Sequence, residues 1–210
     1  MSIEIQWKIP LSKQKRIPRE FFRRDPQTVA QQLLGQRLVR QVEGKRLSGL
    51  IVETEAYLGV IDKAAHSFGG RRTKRTETMY ADGGTAYVYL NYGIHHLFNV
   101  VTDSTDVPTA VLIRAIEPTE GLERMQTNRP AARNVIDLCN GPGKVAAALE
   151  IDRSHDQRDL VTSDELFLEQ VLAPTSRIVR APRVGVDYAA EWARRKLRFY
   201  LRGSPFISRK

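Results

Sequence analysis

The stretch Val52-Glu53-Thr54-Glu55-Ala56-Tyr57-Leu58-Gly59 sets two carboxylates two residues apart at the end of an apolar, β-branched run. Successive side chains of a strand point to opposite faces, so Glu53 and Glu55 share one side, and one of them is expected to be buried. A carboxylate in that position has the chemistry of a general base, provided a water lies within hydrogen-bonding reach. A solvated acid at a strand end fits the same pattern and is the commoner outcome. His66 follows in a polar stretch, where an imidazole is more often structural or exposed than catalytic.

Tyr57, Tyr87, Tyr89 and Tyr92 cluster in a chain that is only 8% aromatic, which raises a stacking platform as a second chemistry. Stacking one base on a ring contributes about 1–3 kcal/mol and extruding a base costs a few, so one ring scarcely suffices where two or three could. Aromatic residues on alternating strands are also ordinary core residues. Tyr92 differs, because Asn91-Tyr92-Gly93 lies between two alternating stretches and puts the ring at a hairpin tip. A projecting ring there can wedge between base steps. His95 and His96 point to opposite faces and cannot readily chelate one metal. Gly141-Pro142-Gly143-Lys144 departs from a phosphate loop, with Leu138 for the first Gly and Val145 for Ser or Thr. A helix start that binds one phosphate remains open there.

These groups need a scaffold, and 210 residues with 41% hydrophobic content suffice for one core and one domain. Hairpin patterns appear at 37–42 with 47–54 and at 85–90 with 94–101, with further strands at 109–116 and 197–201. Helices are expected after Asp25-Pro26, with Val29, Leu33 and Leu34 on one face, from Pro118-Thr119 through Met125, and over 142–149. Residues 59–84 read as a functional loop. Hairpins outnumber strand–helix–strand units, so the fold class is α+β: a single domain with a curved, mostly antiparallel β-sheet flanked by helices and a protruding β-hairpin. Residues 1–24 read as a basic N-terminal arm and 25–210 as the domain.

The net charge of +9 favours a polyanionic partner. Cys139, the single cysteine, excludes an internal disulfide, and no zinc-ligand spacing is present, so no metal or cofactor is expected. No apolar run approaches a membrane span and no export signal is apparent, which points to a cytoplasmic (or, in a eukaryote, nuclear) protein without a membrane partner.

Several blocks occur in a shared order: Glu53-Thr54-Glu55-Ala56-Tyr57, Ala65-His66-Ser67, Gly84-Thr85-Ala86-Tyr87-Val88-Tyr89, Tyr92-Gly93, Asn99-Val100 and Leu112-Ile113-Arg114-Ala115. With Glu117-Pro118, Gly141-Pro142, residues 156–160, Pro182-Arg183-Val184-Gly185 and Arg202-Gly203-Ser204-Pro205, they resemble the alkyladenine (3-methyladenine) DNA glycosylases over nearly everything after the arm. The resemblance implies an enzyme that flips alkylated or deaminated purines from double-stranded DNA and hydrolyses the bond to the sugar. Glu55 would activate the water, with Arg114 and the backbone at Leu112 holding water and sugar. Tyr57, His66 and Tyr89 would line the pocket, and Asn99 would crowd the 2-amino group of guanine. Tyr92 would plug the gap left by the flipped base beside Ile94, where many relatives carry Met. Arg72 and Arg183 are expected on the DNA-binding face. No lysine stands at a matched catalytic position, which implies a monofunctional glycosylase, and a monomer is expected. The alternatives from other classes are a non-catalytic damaged-DNA binder and a small-molecule acyl or formyl transferase.

Overall fold

Glu43-Gly44 and Tyr92-Gly93 reverse the chain where the sequence predicts. Both pairs take the positive φ values of tight hairpin turns, 50° and 73° in the first and 49° and 71° in the second. A computed structural model describes residues 15–171 and 177–209. In chain order these form β1 (Lys15–Arg16), α1 (Arg19–Phe22), α2 (Pro26–Gln32), β2 (Arg37–Val42), β3 (Lys45–Tyr57), β4 (Ala86–Asn91), β5 (His95–Thr102) and β6 (Thr109–Glu120). After them come α3 (Leu122–Asn128), α4 (Val135–Cys139), α5 (Pro142–Ala148), β7 (Leu166–Gln170), β8 (Ile178–Ala181) and β9 (Arg198–Leu201), with short 3-10 turns in the loops.

Among the described residues the strands join one curved antiparallel sheet in the order β1-β7-β2-β3-β6-β5-β4. The long strand β3 serves as its spine. It pairs with β6 along one edge, while the other edge pairs first with β2 and then, from Glu53, with β9 and the attached β8. The expected α+β fold is therefore present, with the β4–β5 hairpin projecting at one end of the sheet.

One face of the sheet buries Val88, Phe98, Val100, Val111 and Ile113 together with Val29, Leu138 and Val145 from α2, α4 and α5 and with Leu33 at the end of α2. Asp25 starts α2 by accepting hydrogen bonds from the N–H groups of Gln27 and Thr28 at 3.1 and 3.0 Å. The opposite face carries a small cluster of Met79, Tyr80, Tyr87, Val101 and Ala110, and a second of Ala64, Val186, Ala189, Trp192 and Leu197. Strict alternation explains this division on β4 and β5.

On β3 the alternation changes phase. Leu47 and Ile51 face the main core at odd positions, whereas Val52 and Ala56 face it at even ones. The pairing shows why: Ile51 pairs with Ile116, Glu53 with Ala115 and Thr54 with Ile113, so Val52 is an extra residue on β3 and Arg114 is an extra residue on β6. Two adjacent bulges thus turn Glu53 and Glu55 away from the apolar core and restore the register beyond them.

Two expectations are corrected. Pro118-Thr119 does not open a helix: Pro118 lies within β6, opposite Gly49 at another register shift, and α3 begins only after Gly121 takes a φ of 76°. Proline is tolerated there because the irregular pairing does not demand its missing N–H. Of the arm expected over residues 1–24, residues 1–14 lie outside the described residues, while 15–24 belong to the folded body. There β1 pairs with β7, and Phe22 is fully buried, a burial that contributes about 1.5–3 kcal/mol. No helix among the described residues is long and apolar enough to cross a membrane.

Candidate active site

Antiparallel register brings the predicted residues into one row across the sheet. Glu55 pairs with Leu112, Leu112 with Asn99, and Asn99 with Tyr87, so residues from four strands stand side by side on the face turned away from the main core. On the other flank Glu55 pairs with Arg198. Neighbouring strands lie about 4.8 Å apart, which sets the spacing along this row.

Both carboxylates are buried, where the sequence led us to expect one. Glu55 accepts hydrogen bonds from the Tyr57 hydroxyl at Oε2 and from the Val184 backbone N–H at Oε1, each at 2.8 Å, and Arg114 Nη1 lies 3.2 Å from Oε1. Glu53 Oε1 pairs with Arg198 at 2.8 Å and with Arg114 Nε at 3.3 Å. A third pair lies alongside, in which Arg183 grips Asp62 through two bonds of 2.5 and 2.8 Å with both side chains fully buried. Three buried carboxylates are therefore matched by three guanidiniums, which is the condition under which such charges are retained inside a protein. Burial opposes the charge on Arg114, but the Glu55 and Glu53 carboxylates outweigh it and raise its pKa.

Beside this network lies a cleft lined by Tyr57, Ala64, His66, Met79, Tyr87, Tyr89, Asn91, Asn99, Ala110 and Tyr188. The His66 ring meets that of Tyr89 edge-on at 4.6 Å, and its Nδ1 lies 2.8 Å from the Tyr87 hydroxyl. Burial, followed by the charges of Arg75 and Arg71, lowers the His66 pKa to about 4, so the ring is neutral at pH 7. Burial raises the Tyr87 phenol to about 12 and pushes Tyr89 up as well. Tyr57 is driven well above its usual value by burial and then by the Glu55 carboxylate, which keeps its hydroxyl a donor to Glu55. The cleft walls are thus uncharged and rich in π-electrons. Asn99 donates from Nδ2 to the Tyr87 carbonyl at 3.1 Å, which fixes its amide in the wall.

Asn91 ends β4 and lines the cleft, so the hairpin rises from the cleft rim. Its tip exposes Tyr92 by 87% and Ile94 by 72%. A non-glycine residue at positive φ costs of order 1–3 kcal/mol, and Tyr92 holds that conformation while burying almost nothing.

Of the two arginines expected on the DNA-binding face, one is closed to DNA and the other is exposed. Arg183 is buried on Asp62, donates to the Ala56 carbonyl and stacks 4.7 Å over the Tyr57 ring, so its guanidinium is closed to a phosphate. Arg72 is exposed but bonded to Glu77 and Asp106, both of which hold its fork. Arg71, Lys74 and Arg75 are also exposed in the same loop, the last lying 5.2 Å over the Tyr89 ring. Asp62, Tyr188, Arg198 and Ser208 join the site without having been singled out for it. The two carboxylates flanking Thr54 were the available signal for one buried network; nothing in the local sequence marked its distant partners.

Comparisons with known proteins agree on one enzyme class, the DNA glycosylases of base-excision repair. A relative from Clostridium perfringens is 45% identical over 205 residues, covering 93% of this chain and all of the relative. Relatives from Natranaerobius thermophilus and Desulfitobacterium hafniense are each 48% identical, over 90% and 93% of this chain and 96% and 100% of their own lengths. All three carry the name "putative 3-methyladenine DNA glycosylase". The sequence profile of the methylpurine-DNA glycosylase family matches residues 20–205, and the chain belongs to that family.

Proposed function

We propose that this protein flips a damaged purine out of double-stranded DNA into the tyrosine-lined cleft and hydrolyses its N-glycosidic bond with a water activated by Glu55. The observation that carries this reading is the Glu55 carboxylate, fully buried yet hydrogen-bonded to a tyrosine of the cleft wall. Two oxygens offer about four acceptor positions. Tyr57 and Val184 hydrogen-bond to two of them and Arg114 Nη1 lies 3.2 Å from Oε1, so acceptor capacity remains for a water.

In the reaction, the water oxygen bonds to C1′ of the sugar while the C1′–N bond breaks and its electron pair leaves with the base. The water proton passes to Glu55, and the carboxylate offsets positive charge growing on the sugar. Alkylation at ring nitrogen makes the purine cationic, which strengthens its attraction to the faces of Tyr57 and Tyr89 and makes it a good leaving group. The names of the relatives direct the substrate to 3-methyladenine. Asn99 crowds the 2-amino group of guanine, Tyr92 fills the gap left in the duplex, and Ile94 packs beside it. No lysine amine lies among the cleft residues, so the product is an unbroken abasic site. The protein acts as a monomer on double-stranded DNA, gripping phosphates with Arg71, Lys74 and Arg75.

The test is release of free base from methylated duplex DNA by the wild type and by Glu55→Gln. Base release should fall by about 10²–10⁴ in the variant while DNA binding persists. A variant that releases base at the wild-type rate would remove Glu55 from the chemistry.

A further inference from the structure

Glu53 is buried as completely as Glu55, yet hydrolysis gives it no proton to move. Its partners lead to the end of the chain. Glu53 Oε1 accepts from Arg114 Nε and Arg198 Nη1, and its Oε2 accepts from the backbone N–H of Ser208. The Ser208 hydroxyl oxygen accepts in turn from Nε and Nη2 of Arg114, at 3.3 and 3.1 Å. One residue later, the Arg209 carbonyl accepts from Arg198 Nη1 at 2.9 Å. The C-terminal tail is thus fastened to the acid and to both guanidiniums behind the site, although the family profile covers residues only as far as 205.

A guanidinium presents its N–H groups in one plane, so fixing one edge aims the other. Arg114 offers its Nε and Nη2 edge to Glu53 and Ser208, and its remaining Nη1 lies 3.2 Å from Glu55. Without Ser208, Nη2 loses its partner and the plane can turn about the side-chain stem. We propose that Ser208 is a positioning residue, holding the plane of Arg114 so that Nη1 meets Glu55 and the attacking water. This rests on the assignment of Glu55 and Arg114 to the chemistry.

The experiment measures single-turnover base release from methylated duplex DNA, affinity for an abasic-site duplex, and Tm. It compares the wild type, Ser208→Ala, Ser208→Thr, a chain ending at Phe206, Arg114→Ala and the Arg114→Ala/Ser208→Ala double variant, with Glu55→Gln as control. Loss of a group that fixes reacting geometry should slow Ser208→Ala and the shortened chain by about tenfold to 100-fold. Affinity and Tm for Ser208→Ala should hold, Ser208→Thr should restore the rate, and the double variant should be no slower than Arg114→Ala alone. A wild-type rate in Ser208→Ala overturns the proposal, whatever the shortened chain does. So does a serine effect that persists undiminished without Arg114, or a rate loss that tracks Tm and is not restored by threonine. Full activity in Glu55→Gln would instead overturn the assignment on which the proposal rests.

Discussion

The wall behind the cleft and the tip of the β4–β5 hairpin invert the usual distribution of residues in opposite ways. The wall takes three carboxylates and three guanidiniums out of water, while the tip holds Tyr92 and Ile94 out in it. Neither choice serves stability well, since buried ion pairs are at best weakly favourable and exposed rings gain nothing from burial. The difference lies in what depends on each. Removing one member of the wall strands its partner inside the protein, whereas removing the tip leaves every other contact in place. The wall is therefore bound up with the fold, and the tip is not.

The largest effect should come from breaking the wall at its closed end. Arg183→Ala leaves the Asp62 carboxylate buried without its cation, a change that typically costs about 3–5 kcal/mol. Urea unfolding should show a lower midpoint at unchanged slope. A midpoint equal to the wild type would mean that the wall is no more integral than the tip.

A pH titration of stability sharpens the comparison at the boundary between the two. His66 holds a folded-state pKa of about 4 against 6.5 in the unfolded chain, so below pH 6.5 the unfolded state binds more protons. Its contribution is complete above pH 6.5 and is lost as pH falls toward 4. At 1.36 kcal/mol per pKa unit this amounts to at most about 3 kcal/mol. Wild type should lose that much more stability than His66→Gln over this interval, and parallel curves would show that the imidazole is not held neutral.

Tyr92→Ala should have the smallest effect on the fold, within about 0.5 kcal/mol, because the ring touches solvent rather than core. Affinity for lesion-containing duplex should nonetheless fall by about 1–3 kcal/mol, the range measured for loss of one stacked ring. A large drop in Tm with no change in DNA affinity would reverse the roles assigned to the two regions.

The tip was legible in the sequence because its logic is local: Asn91-Tyr92-Gly93 encodes both the turn and the exposure of its ring. The hairpins and the α2 cap were legible for the same reason. In the wall, Glu53 and Glu55 could be placed on one side of a strand, but their partners come from β6, β9, the 182–184 segment and the tail. Such contacts depend on strand order and register, which no local pattern records. Arg183 shows the limit well: an arginine in a basic chain reads as a phosphate contact until an acid 121 residues away is found beside it. Pro118 failed differently, since a helix-starting proline and a proline at an irregular strand pairing look alike without the partner strand.

The paired extra residues, Val52 on β3 and Arg114 on β6, also bear on moving this site elsewhere. On an unbroken alternating strand that keeps Ile51 toward the core, Glu53 and Glu55 would project into that core. A protein engineer transplanting this acid-bearing face onto another sheet must therefore graft both insertions with the acids, since the carboxylates alone would arrive pointing the wrong way.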